Sequence, residues 1–182
     1  MGTGRNKMKT VVIADIHGSY DSIKQLEIIL AKENAQKLII LGDILYHGPR
    51  NPLPEGYNPK AVAEWLNQLA IPCLAVQGNC DSEVDQMVLD MTIHPGHLDM
   101  ASMILTHGHH LDELVATKKW IFHGHTHVPV IDCDKRIYNP GSITLPKEGH
   151  PRTYGLLIEQ ELLIKTLDGE VYMKESFISE GI

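Results

Sequence analysis

Cysteine is scarce in this chain of 182 residues. Cys73, Cys80 and Cys133 form an odd set without paired spacing. That leaves no disulfide framework and points to a reducing compartment, the cytoplasm. Positive charge is in deficit as well: 16 Lys and Arg stand against 23 Asp and Glu, a net charge of −7. With no Lys/Arg cluster and no interleaved aromatic patch, a surface that coats a nucleic-acid polymer is excluded. No apolar run approaches the roughly 20 residues needed to span a membrane. The start, MGTGRNKMKTVVIADIHG, has no signal-peptide pattern, because its first apolar run is short and ends in Asp15. There is no linker, no low-complexity segment and no internal repeat. What remains is an ordinary globular composition, 43% apolar and 21% charged, long enough for one compact core. Residues 8–182 read as a single domain, and residues 1–7 as a disordered leader before Met8.

The first half alternates two patterns. KTVVIAD (9–15) and KLIILGD (37–43) are short apolar runs that each end in a carboxylate, the signature of buried strands. Between them, SYDSIKQLEIILAKEN carries Ile23, Leu26, Ile29 and Leu30 at helical spacing. After a Pro-rich loop, YHGPRNPLPEGYNP, Asn58–Pro59 provides an N-cap and a first-turn proline for the helix KAVAEWLNQL. IPCLAVQGNCD is a third strand running into a polar turn. There Asp81 and Ser82 are placed to cap a helix bearing Val84, Met87, Val88 and Met91. The order βαβαβα favours a largely parallel sheet. In the second half, SMILTHG, WIFHGHTHVPVIDC, RIYNPGS, RTYGLLIEQ, ELLIKTL and VYMKESF are strand-like. One short helical candidate, LDELVAT, interrupts them. These strands suggest mixed or antiparallel pairing against the first-half sheet.

Polar residues recur just past the apolar strands: Asp15 and His17, Asp43, Asn79, His107, then His125 and His127. In open α/β sheets ligands bind beyond the carboxyl ends of strands, so all seven can gather on one edge. In WIFHGHTHVPV, His123, His125 and His127 fall at alternate positions, and an extended segment would point them to one side. Oxygen and imidazole donors without thiolate suit Mn, Fe, Zn, Ni or Mg. The donors suffice for two ions, with the Asp43 carboxylate able to reach both. Taken singly, each residue has an ordinary reading: a carboxylate after a strand caps helices, and an Asn in a GN turn tolerates positive φ. Seven such residues, each at a strand end, are hard to produce by those separate causes.

DIHG, GDILYHG, GNCD, THGH and GHTH, in this order across residues 15–127, resemble the ordered blocks of the calcineurin-like metallophosphoesterases. The loop YHGPRNPLPEGYNP and the run NPGSITLPK further resemble the small bacterial YfcE-type phosphodiesterases. The resemblance implies an α/β fold, a four-layer α/β/β/α sandwich with two facing mixed β-sheets. It puts Asp15, His17 and His127 on one divalent metal ion and Asn79, His107 and His125 on a second, with Asp43 bridging. Manganese is the first expectation, with Fe, Ni, Zn and Mg open. It further implies attack on phosphorus by a hydroxide between the ions, which lie about 3.5–4 Å apart in such sites. His123, His109 and His110 match no ligand position. Many relatives carry histidine where this chain has Cys80. That histidine aids the leaving group, and Asp81 orients it. A thiol is a weaker acid and a poorer partner for a dianion, which favours diesters. Equally, Cys80 is simply a small half-buried residue. His47 and Arg50 on the Pro-rich loop are candidate substrate contacts, or else part of a surface or of a subunit contact.

The expected function is therefore hydrolysis of a small or activated phosphodiester, with Asp43, Asn79, Cys80 and Asp81 at the reaction centre. The alternatives are a phosphomonoesterase or nucleotide phosphatase, and a non-catalytic scaffold of the same fold. The expected partners are the small diester alone, with no nucleic-acid polymer and no membrane. A homo-dimer or tetramer is compatible with the family.

Overall fold

The structure is a computed structural model that describes residues 7–114 and 117–176. Its first three strands, β1 (Lys9–Ile13), β2 (Lys37–Ile40) and β3 (Cys73–Val76), are parallel neighbours, Val11 opposite Leu38 and Leu38 opposite Cys73. Their unbroken apolar runs follow from burial on both faces, since successive side chains on a strand point to opposite sides. Val11, Ile13, Leu38 and Ile40 enter one core with Ile23, Leu26 and Ile29 of α1 (Tyr20–Glu33) and Val62, Ala63 and Leu66 of α2 (Pro59–Asn67). Val12, Ala14, Ile39 and Leu41 enter a second core.

That second core is shared with another sheet. Met103 and Leu105 of β6 (Met103–Thr106), Trp120 and Phe122 of β7 (Trp120–Phe122) and Tyr138 of β9 (Ile137–Asn139) complete it. β6, β7 and β9 are parallel, flanked by antiparallel β5 (His97–Asp99) and β8 (Val130–Asp132). The first sheet has seven strands. β10 (Thr153–Ile158), β11 (Glu161–Thr166) and β12 (Val171–Ser176) extend it antiparallel beyond β1, and β4 (Ile93–His94) follows β3 at its other edge. Two mixed sheets thus face each other with helices outside the first, the expected α/β architecture. Pairing of the second half with the first-half sheet holds for β10–β12, whereas β5–β9 build the facing sheet.

Sequence signals set the helix ends. Ser19 Oγ accepts from the Ser22 N–H at 3.2 Å, and Asn34 closes α1 in the left-handed region, φ 53°. Asn58 Oδ1 accepts from the Ala61 N–H at 3.1 Å with Pro59 following. Buried Glu33, at the last turn of α1, ties the helix to the sheet. It accepts from Tyr154 Oη at 2.8 Å and from Lys165 Nζ, with Lys9 Nζ 3.7 Å away.

Three expectations change. α3 (Glu83–Val88) has Ser82 as its N-cap, as expected, with the Asp85 carboxylate accepting from the Ser82 N–H at 3.0 Å, whereas Asp81 is engaged elsewhere. Its apolar residues Val84, Met87 and Val88 are 60%, 81% and 47% exposed, so they face solvent and a shallow groove rather than the core. LDELVAT contributes a single 3-10 turn, Leu111–Glu113, and its residues 115 and 116 lie outside the described residues, as does most of the expected leader. No helix among the described residues is long and apolar enough to cross a membrane.

Candidate metal centre

β1, β2 and β3 of one sheet and β6 and β7 of the other all end at the same edge of the sandwich. Asp15 and His17 follow β1, Asp43 follows β2, Asn79 follows β3, His107 follows β6, and His125 and His127 follow β7. Turning these side chains inward bends the chain sharply. Asp15, His17, Asp43, His125 and His127 adopt left-handed backbone, φ between 50° and 67°. Such conformations are unfavourable outside glycine and persist where the surroundings hold them. The surroundings here are specific. The loops after β1 and β2 are zipped by His17 N–H to Asp43 O at 2.9 Å and Gly18 N–H to Ile44 O at 2.9 Å. Ser142 Oγ donates to Asp15 O at 3.0 Å, and Thr144 Oγ1 to Ile16 O at 2.9 Å. Gly78 has no room for a side chain, since a Cβ there would lie 2.1 Å from Asp43 Oδ1.

Convergence of His125 and His127 therefore arises differently from expectation. The strand ends at Phe122 and resumes at Val130, so the histidines are aimed by left-handed turns, not by strand alternation. His123 diverges into the interior. Its ring packs beside Asn139 Nδ2 at 3.3 Å, and Asn139 Nδ2 donates to Gly124 O at 2.9 Å and Thr126 Oγ1 at 3.0 Å. Asn139 thus holds the turn that presents the histidines.

The Nδ1–H groups of His17, His107 and His127 donate to backbone carbonyls: Tyr46 O at 2.9 Å, Leu41 O at 2.7 Å and Leu145 O at 2.5 Å. With Nδ1 so engaged, neutral imidazole presents a lone pair at Nε2. His17 Nε2 and His127 Nε2 face each other at 3.3 Å. Asp15 Oδ1 sits 3.5 Å from the His127 nitrogen and 3.9 Å from that of His17. Both Asp15 oxygens are buried and accept no hydrogen bond. Burial, with the nearby Asp43 charge, pushes the Asp15 carboxyl up to about 7, although the neighbouring His107 opposes the shift. Lone pairs and an orphaned carboxylate aimed at one point repel unless a cation lies between them. The donor set therefore fits a divalent metal ion.

A second group adjoins it. His107 Nε2 lies 3.0 Å from Asn79 Oδ1, 3.3 Å from His125 Nδ1 and 3.4 Å from Asp43 Oδ2. That same Asp43 oxygen is 3.6 Å from His17 Nε2, so it faces both groups. Burial lowers the pKa of His17, and it lowers those of His125 and His127 to about 4, which keeps all three neutral as ligands must be. His107 is the exception. Burial would lower it, but the bond to Asp43 and the Asp15 charge prevail and push it up to about 9. Asp43 is buried too, yet His107, the Cys80 N–H at 2.8 Å and His17 hold its carboxyl well below the usual range.

A cleft of about 800 Å³ opens above these groups, and Tyr46, Arg50, Asn79, Cys80, His125 and Lys147 are among its walls. Cys80 Sγ accepts from Asn79 Nδ2 at 3.3 Å. Burial and the adjacent Asp43 push the thiol up to about 12, so it stays protonated. Both oxygens of Asp81 are taken up by backbone amides: Gly78 N at 2.7 Å and Asp43 N at 2.8 Å on Oδ2, and Ile44 N at 2.7 Å on Oδ1. Asp81 lines the cleft, but its hydrogen bonds position the Asp43 loop rather than orient Cys80. Arg50 reaches the cleft. The His47 ring instead packs edge-on between Tyr46 and Tyr57, with centroids 4.8 Å and 5.2 Å away. His109 stands behind the site, 5.6 Å from the His107 ring. Asn139, Ser142, Thr144 and Lys147 were not singled out from the sequence as parts of the site. Their signal was the run NPGSITLPK, where polar residues crowd directly after a short strand.

Comparison with known proteins agrees with this geometry. The sequence profile of the calcineurin-like phosphoesterase superfamily domain matches residues 8–161. Phosphodiesterase YfcE of Escherichia coli K12 is 43% identical over 173 residues, 90% of this chain and 94% of that protein. The solved structure of the E. coli phosphoesterase Yfce superposes with a TM-score of 0.88 at 41% identity, covering 94% of this chain and 100% of the other. An archaeal phosphodiesterase shares the fold at 21% identity, TM-score 0.63, over 93% of this chain and 99% of its own. With a profile match over most of its length, a relative of this similarity and the strand-end donor cluster in place, the chain belongs to the calcineurin-like phosphoesterase superfamily.

Proposed function

We propose that this phosphoesterase is a phosphodiesterase that works with two divalent cations on small or activated diesters. One observation carries the reading: Asp43 Oδ2 faces His17 Nε2 at 3.6 Å and His107 Nε2 at 3.4 Å, between two donor groups. Asp15, His17 and His127 would hold one cation, Asn79, His107 and His125 the other, with Asp43 placed to serve both. Bound there, the cations would supply a water acidified toward ~7 and a charge clamp for the phosphoryl oxygens. Manganese is the first choice, with Fe, Ni, Zn and Mg suited to the same donors.

The protein's own part is to hold these donors buried and correctly turned, with His17, His125 and His127 neutral and His107 the one imidazole that must give up a proton to a cation. The carbonyls of Tyr46, Leu41 and Leu145 fix three imidazoles, and Asp81 fixes the Asp43 loop through the Asp43 and Ile44 amides. Asn79 and Cys80 line the cleft above them, Cys80 with a neutral thiol. A neutral group there offers little to the second charge of a monoester dianion, which favours diesters over monoesters. The YfcE relative bears the name phosphodiesterase, which supports the same choice. The complete donor set speaks against a scaffold without catalysis. The reading places the protein in the cytoplasm, free of nucleic-acid polymer and membrane, with a dimer or tetramer open to it.

The test is Asp43→Asn in the metal-loaded protein, measured by turnover of bis(p-nitrophenyl) phosphate, elemental analysis and circular dichroism. Activity lost together with about half or more of the metal, in a folded protein, is the expected result. Full activity at full occupancy overturns the two-metal reading.

A further inference from the structure

Charge is distributed unevenly around the cleft. The carboxylates among its walls are committed, Asp43 to the imidazoles and Asp81 to three backbone amides. The two other charged side chains lining it are Arg50 and Lys147, both cations, in a chain of net charge −7. Both are exposed, and neither takes part in an ion pair among the described residues, whereas Lys24, Lys119 and Lys165 do.

Their backbones are anchored even though their side chains pair with no carboxylate among the described residues. Asn51 Nδ2 donates to His47 O at 2.8 Å, and the Gly48 backbone packs on Cys80, where a Cβ would meet Sγ at 2.8 Å. The turn that carries Arg50 is therefore seated on the site. On the other loop, the Lys147 N–H donates to His127 O at 3.4 Å, next to the Leu145 carbonyl that fixes the His127 ring. Lys147 lies close enough for its charge to bear on Asp15, His17, His125 and His127. Two unconnected loops thus deliver one cation each to a single cleft. A phosphodiester carries one negative charge, which the metal centre already compensates, so these two cations are surplus to the scissile group.

We propose that Arg50 and Lys147 together bind a second anionic group, so that the preferred substrate is a small diester whose retained ester arm carries its own carboxylate or phosphate. The inference rests on the diesterase reading and adds the class of arm. If the two cations served the scissile phosphate instead, they would act equally on every diester.

The experiment uses p-nitrophenyl diesters that share one leaving group and differ in the other arm: 2-carboxyethyl, 2-phosphonoethyl and the neutral 2-carbamoylethyl. The carbamoyl arm is nearly isosteric with the carboxylate. In the metal-loaded wild type, an anionic arm should raise kcat/KM about three- to tenfold over the amide arm, the worth of one or two exposed ion pairs, with the gain residing in KM. The carboxylate and phosphonate arms tell which anion is preferred. Arg50→Met and Lys147→Met should each bring the ratio toward one with metal content unchanged, and Lys135→Met, on a distant surface turn, should keep it. A wild-type ratio of one or less, or a ratio that either variant leaves unchanged, overturns the proposal while leaving the diesterase reading in place. No turnover of any of the three diesters overturns both.

Discussion

His17 and His127 stand 110 residues apart in the chain, and their Nε2 atoms stand 3.3 Å apart in the fold. Each ring is tied at Nδ1 to a carbonyl of a different loop, Tyr46 O and Leu145 O, so neither can turn its lone pair away. Asp15 adds two buried oxygens without hydrogen bonds. An arrangement so costly without a cation makes the metal-free protein a useful reporter.

Asp15→Asn should therefore stabilise the metal-free protein while removing the cation that Asp15, His17 and His127 would hold. The Asp15 pKa in the folded state is raised to about 7 from an ordinary 3.8. A carboxyl raised in this way supports the fold below about pH 4 and loses that support as pH climbs through its folded value. The gain from Asp15→Asn over wild type should grow between pH 4 and pH 7. At neutral pH it should reach a Tm rise of about 2–4 °C for each kcal/mol recovered. Thermal melts in chelator across that range check it, and a variant that melts below wild type at pH 7 contradicts it.

Chelation should remove activity, and Mn²⁺ should restore it better than Mg²⁺, because imidazole donors favour the softer ion. Turnover measured after exhaustive dialysis against chelator, then with each ion added back, checks this. Activity that survives stripping would rule out the metal mechanism.

Cys80→His should raise the ratio of monoester to diester kcat/KM. General-acid assistance is worth about 10²–10⁴-fold, and it matters most for a poor leaving group on a dianion. The Gly48 backbone packs on Sγ, so the larger ring will crowd that turn and lower both rates somewhat. The ratio is thus the quantity to measure. If it stays flat with metals bound, substrate class is set elsewhere in the cleft.

Glu33→Gln should cost about 1.5–3 kcal/mol, the range for a charged hydrogen bond. The Glu33 carboxyl is buried, which alone would raise its pKa, but Lys165, Tyr154 and Lys9 hold it below the usual value. A depressed carboxyl contributes stability above its unfolded value near 4.5, and that contribution is lost as pH falls through the folded value. Urea melts should show the wild-type advantage at pH 7 and its decline below about pH 4.5. Equal stabilities at pH 7 would remove Glu33 as the anchor of α1.

The strand-end residues Asp15, His17, Asp43, Asn79, His107, His125 and His127 were legible because each sits at a local transition from apolar run to polar turn, and such transitions are written in consecutive residues. The helix caps at Ser19 and Asn58 and the two-faced burial of KTVVI and KLII are local in the same sense. What depended on tertiary structure was every relation between distant segments. Partition of the late strands between two sheets rests on which faces they cover, and short apolar strands carry no label for that. The left-handed turns that aim His125 and His127, and the inward path of His123, follow from Asn139 and the packing of the β7–β8 loop. Asp81 looked like a helix cap and proved to hold the Asp43 loop through the Asp43 and Ile44 amides while also accepting from Gly78 of its own turn. Arg50 faces the cleft while His47 packs edge-on between tyrosines, and Lys147 joins the site because its backbone is bonded to His127. The sequence determined the donors and their order along the chain. Only the fold decided where their lone pairs point, because direction is set by hydrogen bonds between loops that lie far apart in the chain.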